Sequence, residues 1–310
     1  MNSLDWKKIA LTLSFCGLMG LVSCDDTSNQ TEKKKIEDTI DSGTIKVGID
    51  ETFKPVMDQQ IKIFDSSFPN AHINVAYKPQ EALFDDLLND SVRMIVATRD
   101  LTEEEKKYYK AKSIYVRSLA IAEDAIGVIV NNQSIDTFMD VGILKSIIND
   151  QFVRKYNIVF DNPSSGIARY IKDSLLLGAP FPDNSYAVTT TDSVIAYVSK
   201  NKNAIGFVGV SHLYDPDEPS NVGVFKKNIR VVSMKDSITN TFNQPYQAYI
   251  VLDQYPLKRQ IYFHLRESYR GLGTGFANFL SRDRGQLLFR TAYLRPLLVP
   301  IILRDVNIKE

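Results

Sequence analysis

The sequence predicts an α/β protein of two lobes, each a mostly parallel sheet flanked by helices, with two segments crossing between them. Two observations carry this expectation. Short apolar strands alternate with amphipathic helices through residues 44–112, and after an interruption the same alternation resumes through residues 141–208. The length supports it, because 310 residues with 44% hydrophobic and 24% charged composition are enough for a core split into two lobes. The 37 basic and 37 acidic residues cancel. That argues against a nucleic-acid binder, whose phosphate-backbone affinity rests on excess Lys and Arg. It does not argue against a small anion held locally.

Residues 1–23 read as a secretory leader. Lys7-Lys8 is a basic start, residues 9–21 are an apolar run too short to span a bilayer comfortably, and Leu21-Val22-Ser23-Cys24 closes the segment. The closing tetrapeptide resembles a bacterial lipobox, which implies cleavage before Cys24 and lipid attachment there. A plain signal peptide or an uncleaved anchor is the alternative. On the lipobox reading Cys16 leaves with the leader and Cys24 carries lipid, so the mature chain has no disulfide. Residues 24–42 are polar and aperiodic, as a flexible tether would be.

Residues 44–49 alternate as a strand does, and a helix with Pro55 in its first turn follows. Residues 72–77 are expected as a strand, 80–89 as a helix and 94–98 as a buried strand. A Thr-x-x-Glu capping box at Thr102 and Glu105 opens the next helix. Residues 114–122 and 126–130 read as two extended runs joined by Glu123-Asp124, the second crossing into the other lobe. There a helix at 141–148, a strand at 157–160, a strand at 186–190, a helix at 193–200 and a buried strand at 204–208 are expected. Residues 215–220 read as a solvated loop, and 246–252 as the strand returning to the first lobe. Helices at 275–281 and 285–293 close the fold. The expected lobes are residues 43–125 with 247–310, and 126–246.

Ligands in such folds bind where strands end and helices begin. Three such turns carry small polar residues: Thr52 with Phe53, Thr98 with Arg99, and Asp161 through Ser164-Ser165-Gly166. In the third, a serine can cap the helix, glycine lets a ligand approach the backbone, and the first helical amides can hold an oxyanion. An ordinary serine cap is the bland alternative. Converging in one cleft, these hydroxyls, amides and the Arg99 guanidinium would bind a compact oxyanion.

The sequence is similar to the phosphate-binding proteins of ABC transporters, which have the type II periplasmic binding protein fold. Residues 97–105, Ala-Thr-Arg-Asp-Leu-Thr-Glu-Glu-Glu, resemble the family's Ser-Arg-x-Leu-x-x-x-Glu stretch. Ser164-Ser165-Gly166 stands where the family has a Ser-Gly-Thr turn, and residues 204–209 resemble its Ala-Ile-Gly-Tyr-Val segment. Phe276, Ser281, Gly285-Gln286 and the Pro-Leu pair before Val299 match its closing pattern. The resemblance implies phosphate capture for an ABC permease and no catalysis.

Asp161 stands where the family commonly has an Arg, and Ile167 replaces the threonine after the glycine. The Ser-Gly-rich turn after the second strand is replaced by Tyr77-Lys78-Pro79-Gln80-Glu81. Arg99 or Arg169 would then have to supply the positive charge. Phosphate carries a proton and needs an acceptor, for which Asp100 and Asp161 are the candidates, whereas sulfate carries none. Without enough donors Asp161 would repel an anion, and the pocket would take an organic or amine-bearing ligand.

His72, His212 and His264 lie far apart without ligand spacing and read as structural, so no metal or cofactor is expected. Hydrolase and P-loop patterns are missing from the sequence. The expectation is a monomeric, lipid-anchored solute-binding protein outside the cytoplasm, on the periplasmic side or the outer membrane. A non-transport envelope protein of the same fold, a sensor or interaction module, is the alternative.

Overall fold

The computed structural model describes residues 38–215 and 223–301. The leader, residues 24–37 of the expected tether with Cys24, and most of the 215–220 loop lie outside the described residues, while residues 38–42, expected as tether, are packed on the fold, Asp38 being held by Arg93 and Tyr269. β1 (Gly43–Asp50) runs into a 3-10 turn, Glu51–Phe53, and then α1 (Lys54–Ser67), with Pro55 in its first turn. β2 (Ala71–Lys78), α2 (Gln80–Leu88), β3 (Met94–Ala97) and α3 (Glu103–Ala111) follow. The capping box is formed: Glu105 N–H donates to Thr102 Oγ1 at 3.2 Å, and Thr102 N–H to Glu105 Oε2 at 2.7 Å.

β4 (Arg117–Asn131) is one continuous strand, not two runs broken at Glu123-Asp124. Two charged residues survive inside it because cations on neighbouring strands meet them. Asp124 pairs with Arg259, and Glu123 with Arg295 and Lys258. The second lobe carries β5 (Phe138–Met139), α4 (Val141–Ile148), β6 (Asn157–Phe160) and α5 (Gly166–Tyr170), the last passing into a wide π turn at Ile171–Leu175. Next come β7 (Ser185–Ala187), α6 (Thr191–Lys200), β8 (Ala204–Gly209), the 3-10 turn Val210–His212, β9 (Ile229–Val231), β10 (Ser233–Lys235) and β11 (Phe242–Asn243).

The segment expected as the returning strand is instead a helix, α7 (Gln247–Val251), and the returning strand is β12 (Lys258–Leu265). Tyr, Ile and Val favour a strand only where a pleated surface awaits them. Here both edges of β4 are taken, by β12 and β13 (Arg295–Pro296) in its first half and by β8 and β9 in its second. α8 (Leu272–Ser281) and α9 (Asp283–Thr291) complete the first lobe.

The main sheet runs β2-β1-β3-β12-β4-β8-β6-β7, so one curled, mixed sheet passes through both lobes, with β4 shared between them. β1, β2 and β3 are parallel, as are β8, β6 and β7, while β12 and β4 are antiparallel to their neighbours. β3 and β8 are buried throughout, as expected of strands covered on both faces. Gln286 pins the closing segment: its amide donates to Ile121 O and Leu280 O and its carbonyl accepts from Leu298 N–H.

Candidate functional site

The site is built where β1, β3, β6 and β12 end or pass each other. Asp50 closes β1, and its Oδ1 accepts from Thr52 N–H at 3.0 Å and from Thr52 Oγ1 at 2.7 Å, which fixes the Glu51–Phe53 turn. Oδ2 of the same carboxylate, fully buried, has no hydrogen-bond partner among the described residues. Phe53 is buried beneath the guanidinium of Arg259, 5.1 Å from its ring centroid.

At the end of β3, Thr98 gives both its N–H and its Oγ1–H to Oε1 of Gln80, each at 2.6 Å. Arg99 turns back into its own lobe. Its guanidinium makes a bidentate pair with Glu105, both contacts at 2.7 Å, and lies 3.3 Å from the Phe84 ring centroid. Burial raises the Glu105 carboxyl, but the Arg99 guanidinium and the Thr102 N–H outweigh it and hold the group below its usual range. Asp100 points outward to Lys106 at 3.1 Å and accepts from Leu101 N–H. Of the two candidate acceptors, only Asp161 faces the buried cluster.

Ser165 caps α5, accepting from Ala168 N–H at 3.1 Å and donating to Asp161 Oδ1 at 2.5 Å. Asp161 is 1% exposed and also accepts from Asn162 N–H; its Oδ2 has no hydrogen-bond partner among the described residues. Burial pushes this carboxyl up, and the charge of Asp50 adds to the shift. Ser164 is half-buried, its N–H on Asn162 Oδ1. Ile167, where the resemblance expects a hydroxyl, is fully buried in the core. Arg169 sits at the rim, 3.3 Å from Asp173.

Gly166 is where the two sides meet. A Cβ there would lie 2.6 Å from Asp50 Oδ2, 2.7 Å from Thr98 Oγ1 and 3.0 Å from Arg259 Nη1. Only glycine permits that approach. The turns at Thr52, Thr98 and Ser165-Gly166 thus come together, whereas Asp100 points away; Arg99 is paired with Glu105 and still lines the cavity, its Nε without a hydrogen-bond partner among the described residues.

Sequence reasoning missed the cation. Arg259 stands on β12 in register with Asp124 on β4, its Nε 2.9 Å and Nη2 2.8 Å from Asp124 Oδ2. Its Nη1 has no hydrogen-bond partner among the described residues. Arg259 is 6% exposed and Asp124 fully buried. A signal was available: an aspartate inside the apolar run from Ile121 to Val130 requires a buried cation nearby. Gln80 was missed as well, because an amide gives no warning of which backbone it will hold.

A cavity of about 110 Å³ adjoins this cluster, walled by Gln80, Thr98, Arg99, Gly166, Tyr170 and Arg259. A wider groove of about 540 Å³ opens between Glu51, Lys54 and Tyr77 on one side and Thr191, His212 and Lys226 on the other. Burial pushes the Glu51 carboxyl up, and the charges of Asp161 and Asp50 push it further; Glu51 follows Asp50 in the chain, so the groove begins beside the buried cluster. His212 donates Nε2–H to Thr52 O at 2.8 Å and is kept neutral by burial.

Comparison with known proteins agrees with this architecture. The chain is 22% identical over 259 residues to the phosphate-binding protein PstS of Staphylococcus aureus, covering 78% of this chain and 75% of the relative. An ABC-type phosphate transport receptor from Vibrio cholerae superposes with a TM-score of 0.65 at 15% identity, over 82% of this chain and all of the receptor. PstS from Borrelia burgdorferi superposes with a TM-score of 0.54 at 20% identity, over 82% and 98% of the two chains. A family model described as a PBP superfamily domain matches residues 35–284, so the two-lobed chain with its cleft at Gly166 belongs to the PBP superfamily.

Proposed function

We propose that this protein captures a small oxyanion, phosphate first, between its lobes and delivers it to an ABC permease without chemical change. The observation that carries the reading is the convergence at Gly166 of a cation with an unused donor, Arg259 Nη1, and an unused acceptor, Asp50 Oδ2. An oxyanion that bears both lone pairs and a proton satisfies both. Thr52, Thr98 and Ser165 supply hydroxyls, the Phe53 and Gly166 turns bring backbone close, and Asp161 offers a second acceptor. Affinity comes from groups already held in place in a dry cleft, and lobe closure signals occupancy.

The chain acts outside the cytoplasm as a monomer, anchored through lipid on Cys24. Relatives named as phosphate-binding proteins of the same fold support the ligand and the transport role. Calorimetric titration of the chain from residue 24 onward, carrying Cys24→Ser and refolded to strip ligand, tests it. Phosphate binding that is lost in Arg259→Gln while the variant still unfolds cooperatively, and lost also in Gly166→Ala, establishes the site. A cooperatively folded chain silent toward phosphate and sulfate overturns the reading. The second reading, an envelope sensor or interaction module with a different ligand, draws on the excess of buried carboxylates over guanidinium at the same point. Mass analysis of the membrane-extracted protein tests the anchor: the lipid-bearing peptide should begin at Cys24.

A further inference from the structure

The reading of the cleft as an oxyanion site leaves its charge balance to be explained, and the further inference rests on that reading. Three fully or almost fully buried carboxylates, Asp50, Asp124 and Asp161, surround one buried guanidinium, Arg259. Asp124 accepts from Arg259 Nε, lies 2.8 Å from Nη2 as an ion pair, and accepts a further N–H from Val210 at 3.3 Å, which leaves Nη1 and Nη2 without a hydrogen-bond acceptor among the described residues. Asp50 and Asp161 each spend one oxygen on the protein and keep Oδ2 without a donor. Asp50 Oδ2 and Arg259 Nη1 both lie beside Gly166, the residue after the Ser165 that donates to Asp161, so the two carboxylates border the same point.

Among the described residues, the other cations around the cleft each have a carboxylate partner. Arg99 is matched by Glu105, Arg169 by Asp173, Lys54 by Asp58 and Lys226 by Asp192. His212 is neutral, Tyr170 is held protonated by burial, and Glu51 adds acidity from the groove side. A buried carboxylate oxygen without a donor is costly, so a ligand that fits must bring one proton to each. Sulfate brings none. The phosphate dianion brings one and adds a second negative charge. The monoanion brings two P–O–H groups and still offers two oxygens to Arg259.

We propose that the site selects the doubly protonated monoanion of phosphate over the dianion, Asp50 and Asp161 each accepting one P–O–H hydrogen bond at Oδ2. One proton per carboxylate is thereby retained in the complex whichever oxygen holds it.

Titration of the chain from residue 24 onward, carrying Cys24→Ser, with inorganic phosphate from about pH 5 to about pH 8 tests the selection. Above the second ionisation of phosphate, affinity for total phosphate falls about tenfold per pH unit, with proton uptake on binding seen in buffers of different ionisation enthalpy. Methylphosphonate, whose monoanion has a single P–O–H, binds at least about tenfold more weakly than phosphate at the acid end. Asp50→Asn or Asp161→Asn, whichever retains cooperative unfolding, flattens the pH profile and admits sulfate, because the new amide donates where the carboxylate accepted. Phosphate affinity that is flat or rises with pH, or methylphosphonate bound as tightly as phosphate, overturns the selection and leaves the oxyanion site standing. No phosphate binding at any pH overturns the site itself.

Discussion

Arg259 carries two loads at once. It neutralises Asp124 in the middle of β4 and presents Nη1 to the cleft. Replacing it with methionine keeps the bulk but leaves a buried carboxylate without its partner. Urea denaturation should then show a loss of about 3–5 kcal/mol, far more than a surface pair would give. Gly166 poses the opposite problem, since the residue added is small but has nowhere to go. Gly166→Ala should leave the stability of each lobe nearly intact while holding the lobes apart, because its Cβ meets Asp50, Thr98 and Arg259 at or within 3.0 Å. Phosphate affinity measured calorimetrically should fall by at least about tenfold. Unchanged affinity would mean the ligand does not lie at this contact.

Among the elements, α3 and β12 fix the turn that bears Thr98 and Arg99. Glu105 belongs to the capping box of α3 and also holds Arg99, so the helix start and the cleft wall depend on one carboxylate. Thr102→Ala removes the cap alone and should cost about 1 kcal/mol in chemical denaturation. From β12, His264 spans the same turn, with Nε2–H on Arg99 O at 2.9 Å and Nδ1 accepting from Ser118 Oγ at 2.7 Å. Burial lowers its pKa from 6.5 to about 4. Its neutral form is therefore the folded form. The unfolded chain takes up a proton between those values that the folded chain refuses, so the contribution is complete above pH 6.5 and is lost as pH falls toward 4. The shift corresponds to about 3 kcal/mol, and His264→Asn should make the unfolding midpoint less steeply dependent on pH in that interval.

For the whole molecule, β4 is the shared spine. Its first half pairs with β12 and β13 and its second with β8 and β9, so the lobes are joined through a continuous strand and not through loose linkers. The proposed closure on ligand would then be a bend about that strand. At the far end of the first lobe the described chain begins in a fixed position. Asp38 is held by Arg93 and Tyr269, and Gly275 of α8 leaves room for the Ile40 carbonyl. If phosphate binds only the closed folded state, excess ligand at about one hundred times Kd should stabilise the chain by about 2.7 kcal/mol, read as a rise in unfolding midpoint. Sulfate at the same concentration should leave the midpoint unchanged.

Local chemistry determined what the sequence made legible. Alternating and buried-type apolar runs fixed β1, β3, β6 and β8, the Thr102–Glu105 spacing fixed the start of α3, and Ser165-Gly166 after Phe160 marked the turn at the cleft. Each depends on residues close in the chain. The tertiary structure alone decided the rest. Glu123 and Asp124 looked like a break because unpaired charges do not persist inside a sheet, and they persist because Arg259, Lys258 and Arg295 arrive from strands far along the chain. The 246–252 segment has strand-forming residues, but β4 had no free edge to receive it. Arg99 had the chemistry of an anion ligand and lines the cavity, but Glu105 and Phe84 hold its guanidinium, and the cation against Gly166 is Arg259 on the returning strand. Propensity and capping act over a few residues, whereas which charge meets which depends on sheet register, and register is set by the packed molecule.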